Sequence, residues 1–244
     1  MDDFTKEIEF LKERIGGAWP FEGCILAGGA ITSVFTKKDI SDFDLYFHSR
    51  KAFDAAVHSA YDQGYWCVSI TSRAITFAQG DLVFQLMHFR FFPDANAIFE
   101  SFDFTCCMAA LPMDSQQLVF HPRFLADTNK RELIFNHGTD FPLASGVRVL
   151  KYQQRGYTIS KTELIKLLVA VTRTKIDSWD ELKEQIGGHY GEKVTVDTSK
   201  EFNPANLTAA LESVRFEPGC DSVENPATAE EALAKIWKEP YPGE

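Results

Sequence analysis

Two carboxylates in a short segment of the sequence have the spacing of a metal site. Asp42 and Asp44 are separated by one residue in Ser41-Asp-Phe-Asp-Leu-Tyr-Phe47. Because side chains alternate in direction along a β-strand, both carboxylates project to the same face if this segment is a strand. Such a pair can hold Mg²⁺ or Mn²⁺, and the cation can neutralise phosphates and align an attacking oxygen for phosphoryl transfer. We therefore predict that Asp42 and Asp44 are catalytic, metal-binding residues.

A glycine pair precedes these carboxylates and suits a nucleoside triphosphate. Gly28 and Gly29 follow the short apolar run Cys24 to Ala27. Adjacent glycines at a strand-to-helix turn let backbone N–H groups approach a phosphate, and the following helix N-terminus favours negative charge. Each feature alone has a structural explanation: a turn for the glycines, and a solvated face or helix cap for the carboxylates. The order strand, Gly-Gly, helix, Asp-x-Asp strand favours a polymerase-β-type nucleotidyltransferase site.

The surrounding pattern predicts the elements that position this site. Apolar periodicity and turn residues indicate alternating strands and helices, then a hairpin at Gln79-Gly80-Asp81. The predicted strands are Cys24–Ala27, Phe43–Phe47, Ala74–Ala78, Leu82–Phe91 and Phe104–Ala110, and the predicted helices are Ala30–Lys37, Ala52–Gly64 and Ala95–Phe102. These elements predict a mixed sheet with helices packed against it.

The second part of the chain has helical periodicity. Helices are predicted over Leu150–Gly156, Lys161–Lys175, Ser178–Gln185 and Ala227–Lys238, the last capped by Asn225-Pro226. We therefore predict an α+β fold, with a nucleotidyltransferase-like catalytic head over residues 1–146. A small helical, neck-like region with an acidic tail is predicted over residues 147–244.

Composition limits the class of protein. The net charge of −10 argues against a broad nucleic-acid surface but leaves local basic patches open. The longest apolar stretch, Leu82 to Phe92, is too short and too interrupted to span a membrane. The five cysteines form no CxxC pair, and the six histidines show no HxxxH or HExxH spacing, so neither a disulfide framework nor zinc is expected. We expect a soluble, cytoplasmic protein.

Five motifs resemble, in order, those of the tRNA CCA-adding enzyme and bacterial poly(A) polymerase family. The family's G-G-A-V-R-D followed by D-x-D is matched by Gly28-Gly29-Ala30-Ile31 and by Asp42 and Asp44. Its Y-E-V-T-T-F-R strand is similar to residues 84–90, and its R-R-D-F-T-I-N-A-M-A to residues 101–110. Its D-P-F-x-G-x-x-D-L is similar to residues 121–127, and its R-I-L-R-A-x-R-F-A-A-x-L-G-F-x-I to residues 148–159.

The resemblance implies roles for individual residues. Asp42 and Asp44 would bind the metal, Gly28 and Gly29 the triphosphate, and Asp103 would lie near the ribose or base. Arg90 is included with the nucleotide-binding residues, as are Thr32 and Ser33, which stand where the family has Arg-Asp.

Two departures from the family pattern affect the implied chemistry. Ser101-Phe102 replace the two arginines before Asp103, so base selection should differ from that of the family. Gln85 replaces an acidic residue and leaves two carboxylates for the cation.

The leading hypothesis is a Mg²⁺-dependent nucleotidyltransferase. It would move a nucleotidyl group from an NTP, such as ATP, to an acceptor hydroxyl, with an RNA 3′ end or a tRNA as the favoured acceptor. The alternative is a catalytically silent nucleotidyltransferase-like module that binds a nucleotide or a protein. The acceptor, the nucleotide preference and the oligomeric state are left open by the sequence.

Overall fold

The protein is described from a computed structural model over residues 4–15, 23–115, 117–187, 192–218 and 226–237. The helices are α1 (Thr5–Ile15), α2 (Gly29–Thr36), α3 (Arg50–Asp62), α4 (Ala95–Ser101), α5 (Phe124–Lys130), α6 (Pro142–Gln154), α7 (Lys161–Arg173), α8 (Trp179–Ile186), α9 (Pro204–Ser213) and α10 (Ala229–Ile236). The strands are β1 (Cys24–Ala27), β2 (Phe43–Phe47), β3 (Trp66–Ile70), β4 (Ala74–Gln79), β5 (Leu82–Met87), β6 (Ala109–Pro112), β7 (Val119–Phe120), β8 (Glu132–Leu133), β9 (Thr158–Ile159), β10 (Glu192–Thr195) and β11 (Arg215–Pro218).

A seven-stranded mixed sheet forms the framework of the first part of the chain. Its order is β3-β4-β5-β2-β1-β6-β7, with β2 and β5 parallel and the other neighbouring pairs antiparallel. The register places Ala27, Asp44 and Gln85 side by side on the three central strands. The predicted α+β fold, a mixed sheet with flanking helices, is therefore confirmed.

The alternation of residues along β2 separates the core from the site. Phe43, Leu45 and Phe47 are buried in the main core, and the buried ring of Phe53 from α3 contacts Phe47 edge-on. Asp44, between them in sequence, points to the opposite face. Burial of the aromatic positions on one face therefore fixes the register that presents Asp44 on the other.

One predicted strand is partly wrong. Residues 104–108 do not extend β6, because Thr105–Cys107 form a 3₁₀ turn and the strand begins at Ala109. The carbonyl of Cys106 accepts hydrogen bonds from the hydroxyls of Thr32 and Thr128, at 3.0 and 3.3 Å. These side chains take the place of the backbone N–H that a neighbouring strand would supply.

Other elements also differ from the prediction: the strand predicted over Leu82–Phe91 ends at Met87. Strand β3 at the sheet edge was not predicted, and α6 begins at Pro142 rather than near Leu150. Proline is favoured in the first turn of a helix because its missing N–H has no partner there, which explains the earlier start.

The last described helix packs against the sheet domain. Contacts join α10 to α3, and the indole Nε1 of Trp237 donates a hydrogen bond to Asp54 at 2.8 Å. The helix begins at Ala229, and its cap is Thr228, whose hydroxyl accepts from the N–H of Glu231. The predicted cap at Asn225-Pro226 is therefore wrong, and Asn225 and Lys238 lie outside the described residues.

Helices α6, α7 and α8 form a separate group, with contacts from α6 to each of the others. Within the described ranges, every helix is too short or too polar to cross a bilayer.

Candidate active site

A cavity of about 530 Å³ opens between the polar face of the sheet and the helices α6 and α8. Among the residues predicted from sequence, those that line it are Gly28, Gly29, Ser33, Asp42, Asp44 and Asp103. The structure thus brings the glycine pair and the two carboxylates to one cavity. Thr32 and Arg90 lie outside its lining.

The glycine turn lies directly beside one carboxylate. Gly28 precedes α2 with φ 90° and ψ −135°, a conformation that favours glycine, and its N–H donates to the carbonyl of Ala109 at 3.0 Å. A Cβ added to Gly28 would be 3.6 Å from Oδ2 of Asp44. Gly29 is exposed, and a Cβ there would meet no atom within 4 Å. The space in front of the helix N-terminus is therefore open and adjoins Asp44.

Two side-chain donors hold Asp42. The hydroxyl of Ser41 donates to its Oδ1, and the amide Nε2 of Gln85 donates to its Oδ2 at 2.6 Å. Both carboxylate oxygens therefore accept a hydrogen bond, and each keeps further acceptor capacity.

The surroundings of Asp44 disfavour the ionised form of its carboxyl group. Burial raises its pKa well above the usual value, and the charge of Asp42 raises it further, while Arg148 and Lys151 oppose the shift. A desolvated carboxylate beside a second one is the environment in which a cation is most favourable.

The donor set fits a hard divalent ion. Two carboxylates on one face supply oxygen ligands, as Mg²⁺ and Mn²⁺ require. Over the part of the chain that the structure describes, no group of three or more His, Cys, Asp or Glu side chains could hold a metal ion. The cation would therefore depend on Asp42 and Asp44, with the remaining positions open to substrate phosphates and water.

Arg148 is a site residue absent from the sequence-based set. From α6 its Nη1 donates to Oδ2 of the buried Asp103 at 2.6 Å. Burial disfavours the charged guanidinium, but the Asp103 charge and hydrogen bond outweigh it, so the pKa of Arg148 is raised. The ion pair joins α6 to the segment between α4 and the 3₁₀ turn at the cavity wall. Arg148 could have been recognised from the sequence because it is the first residue of the motif over residues 148–159.

Four further cationic side chains line the cavity, and one of them, Arg73, contacts α8. They are Arg73, Lys151, Arg155 and Lys183. Arg73 donates to the carbonyl of Glu184 on α8, and its guanidinium carbon lies 3.3 Å from the centre of the Phe141 ring. Burial and then the charge of Arg148 lower the pKa of Arg73 to about 10. A cluster of cations around two carboxylates suits a bound polyanion with its metal.

The two predicted residues outside the lining have other contacts. The Thr32 hydroxyl bonds to the carbonyls of Gly28 and Cys106, at 3.3 and 3.0 Å, and so supports the turn from within. The guanidinium of Arg90 donates to Asp140 at 2.8 Å. Neither side chain lines the cavity.

The fold is that of a nucleotidyltransferase-like protein. The Thermotoga maritima CCA-adding enzyme complexed with tRNA superposes with a TM-score of 0.53 at 17% identity, covering 75% of this chain and 49% of that one. An apo form of a CCA-adding enzyme gives a TM-score of 0.54 at 15% identity, over 70% of this chain and 47% of that one. At these identities the likeness concerns the fold.

The chain belongs to the Gabija anti-defense 2 family, whose model matches residues 2–131, just over half of its length. The Gabija anti-defense 2 protein of Bacillus phage SPbetaL7 is 39% identical over 187 residues, which are 77% of this chain and 47% of that protein. The chain thus spans about half the length of this relative. The resemblance to CCA-adding enzymes holds for the fold, while the sequence family is Gabija anti-defense 2.

Proposed function

We propose that the protein is a Mg²⁺-dependent nucleotidyltransferase. In the reaction, an acceptor hydroxyl oxygen forms a bond to the α-phosphorus of an NTP, the bond from that phosphorus to the β-phosphate oxygen breaks, and pyrophosphate leaves as the hydroxyl releases its proton. The observation that carries the proposal is the position of the Asp44 carboxylate beside Gly28 in one open cavity.

Different residues would bind the cation and the triphosphate. Asp42 and Asp44 would bind the cation, which would neutralise phosphate charge when present. The triphosphate would lie in the open space beside the turn at Gly28 and Gly29, in front of the N-terminus of α2, because the first N–H groups of a helix have no partner within it; the N–H of Gly28 itself already donates to Ala109. Lys151 extends the positive field along the cavity.

The cavity wall beside Gly28 is aromatic at Phe102, where the CCA-adding family has an arginine. The Phe102 ring lies within 3.5 Å of a Cβ built on Gly28 and 5.9 Å, centre to centre, from the Tyr46 ring. An aromatic wall offers stacking area but no bidentate hydrogen bonds. We therefore propose that nucleotide choice depends less on charged contacts here, with Asp103 held in place by Arg148.

The proposed acceptor is an RNA 3′ end, with tRNA as one candidate. The net charge of −10 disfavours a broad nucleic-acid surface, yet Arg73, Lys151, Arg155 and Lys183 gather at the cavity. This local field can attract a backbone phosphate to the mouth. The reaction would take place in the cytoplasm, where NTPs are abundant.

A second candidate function is protein binding without catalysis. The phage relative is named for anti-defence against Gabija, and we propose that this chain also counteracts that bacterial defence. Helix α7 carries an exposed apolar stripe that would suit a protein contact: Leu164, Ile165, Leu168 and Val169 are 39%, 60%, 54% and 41% exposed. Gln85 in place of a third acidic group also favours this alternative.

The deciding experiment measures transfer. Purified protein is incubated with labelled NTPs, Mg²⁺ and candidate RNAs, beside the variants D42A and D44A. The control D81A removes an exposed aspartate in the β4–β5 turn, outside the cavity lining. We expect labelling by the wild type and D81A and its loss in the other two.

Equal labelling by the wild type, D42A and D44A would remove both aspartates from the mechanism. Thermal stabilisation by NTP and Mg²⁺ without any transfer would instead support the silent module.

A further inference from the structure

Gln85 lies in the centre of the carboxylate site. On β5 it is the direct neighbour of Asp44 in the parallel register and of Thr76 in the antiparallel one. Its side-chain Nε2 lies 2.6 Å from Oδ2 of Asp42. An ionised carboxylate only accepts hydrogen bonds, so the amide must present its NH₂ group, and not its carbonyl oxygen, to Asp42.

Asp42 needs such support more than Asp44 does. Strand β2 begins at Phe43, so Asp44 is held by sheet pairing on both sides, whereas Asp42 precedes the strand. Rotation of the Asp42 side chain is instead restrained by the hydroxyl of Ser41 on Oδ1 and the amide of Gln85 on Oδ2. Each oxygen still has a free lone pair, so the restrained carboxylate can bind a cation.

We propose that Gln85 is a positioning residue that orients Asp42 for the cation and does not itself bind the metal. The proposal rests on the proposed function, because it assigns the metal to Asp42 and Asp44. It explains how the site works with an amide at a position where the CCA-adding family has an acid. The amide supplies no third negative charge, but it fixes the orientation of the Asp42 carboxylate. Partners that orient metal ligands typically contribute about 10- to 100-fold to metal affinity.

The test is Mn²⁺ affinity, measured by electron paramagnetic resonance on full-length protein. Q85A is compared with the wild type, with D44N, and with Q79A, which removes an exposed glutamine from neighbouring strand β4. We expect Q85A to weaken Mn²⁺ binding about 10- to 100-fold, D44N to weaken it as much or more, and Q79A to leave it unchanged. Circular dichroism checks that the variants remain folded.

A second measurement separates orientation from direct ligation. The side-chain amide resonances of Gln85 are followed by ¹⁵N NMR during a Mg²⁺ titration and in D42A. If Gln85 acts through Asp42, D42A shifts these resonances strongly, while Mg²⁺ shifts them little. A large Mg²⁺-induced shift that persists in D42A would show direct ligation and overturn the proposal.

The Mn²⁺ measurements distinguish a wrong role for Gln85 from a wrong metal site. Wild-type affinity in Q85A, together with loss in D44N, would overturn the role of Gln85 and leave the metal site intact. Equal Mn²⁺ binding by the wild type and D44N would overturn the metal site itself, and with it both proposals.

Discussion

The two glycines of the turn should respond to alanine in opposite ways. Gly28 has φ 90° and ψ −135°, whereas Gly29 is the first residue of α2 and has no positive φ. A Cβ at position 28 would make only ordinary van der Waals contacts, 3.5 Å to Phe102 and 3.6 Å to Asp44. The cost of G28A is therefore backbone strain and not collision.

The magnitude follows from that conformation. A non-glycine residue held there costs about 1–3 kcal/mol, and in a domain of this size each kcal/mol lowers Tm by about 2–4 °C. A fall of about 2–12 °C is therefore expected for G28A. For G29A, alanine in a helix is favoured over glycine by up to about 1 kcal/mol, so Tm should stay constant or rise.

Although G29A should not lower the stability of the protein without ligand, it should weaken nucleotide binding. The Cβ of G29A enters open space at the cavity, where the triphosphate would lie. We expect G29A to lose most of the Mg²⁺-dependent stabilisation by NTP while remaining as stable as the wild type without ligand. Differential scanning fluorimetry with and without NTP measures both effects. A G28A variant as stable as the wild type, or a G29A variant with full NTP stabilisation, would refute the reasoning.

Three further predictions concern stability. Burial lowers the pKa of His88 to about 4 from the usual 6.5, although hydrogen bonds with the backbone oppose the shift. The wild type should therefore be most stable above pH 6.5 and lose stability as the pH drops toward 4, by about 2 kcal/mol at pH 5, and H88Q should remove this dependence in urea unfolding. R148M should cost about 3 kcal/mol in the same assay, because it leaves Asp103 buried and unpaired, and the D103N/R148M double variant should recover part of it. W237A should cost about 3 kcal/mol and W237F about 1 kcal/mol by thermal unfolding, since phenylalanine keeps the ring packing but loses the hydrogen bond to Asp54.

Each of these has a contradicting result. An H88Q protein that loses stability between pH 6.5 and 4 as steeply as the wild type would assign the dependence to another group. Additive costs of R148M and D103N would show that the two side chains are not coupled. Equal Tm values for W237A and the wild type would show that α10 contributes nothing to the sheet domain.

The sheet and the glycine turn were predictable because their patterns are local. Strand β1 was predicted with the same limits as observed, as was β2, because an apolar run before two glycines and an alternation of aromatic and acidic residues both follow strand periodicity. The direction of Asp44 followed from the same alternation, whereas Asp42, which lines the same cavity, precedes the strand and is oriented by side-chain hydrogen bonds. These features depend on neighbours within a few residues.

The contacts that complete the cavity were not predictable in this way. The 3₁₀ turn at residues 105–107 depends on hydroxyls from α2 and α5, far away in sequence. The pairing of Arg148 with Asp103 joins residues 45 positions apart. Arg90 was assigned to the nucleotide from its motif, but its partner Asp140 is visible only in three dimensions.

We propose that one divalent cation lies between Asp42 and Asp44, facing the turn at Gly28. Crystals grown with Mn²⁺ and a non-hydrolysable ATP analogue, measured at the manganese absorption edge, locate that ion directly. We expect one anomalous peak in contact with both carboxylates and with the analogue's phosphates, and no such peak in D44N. A peak away from these side chains, or the same peak in D44N, would contradict it.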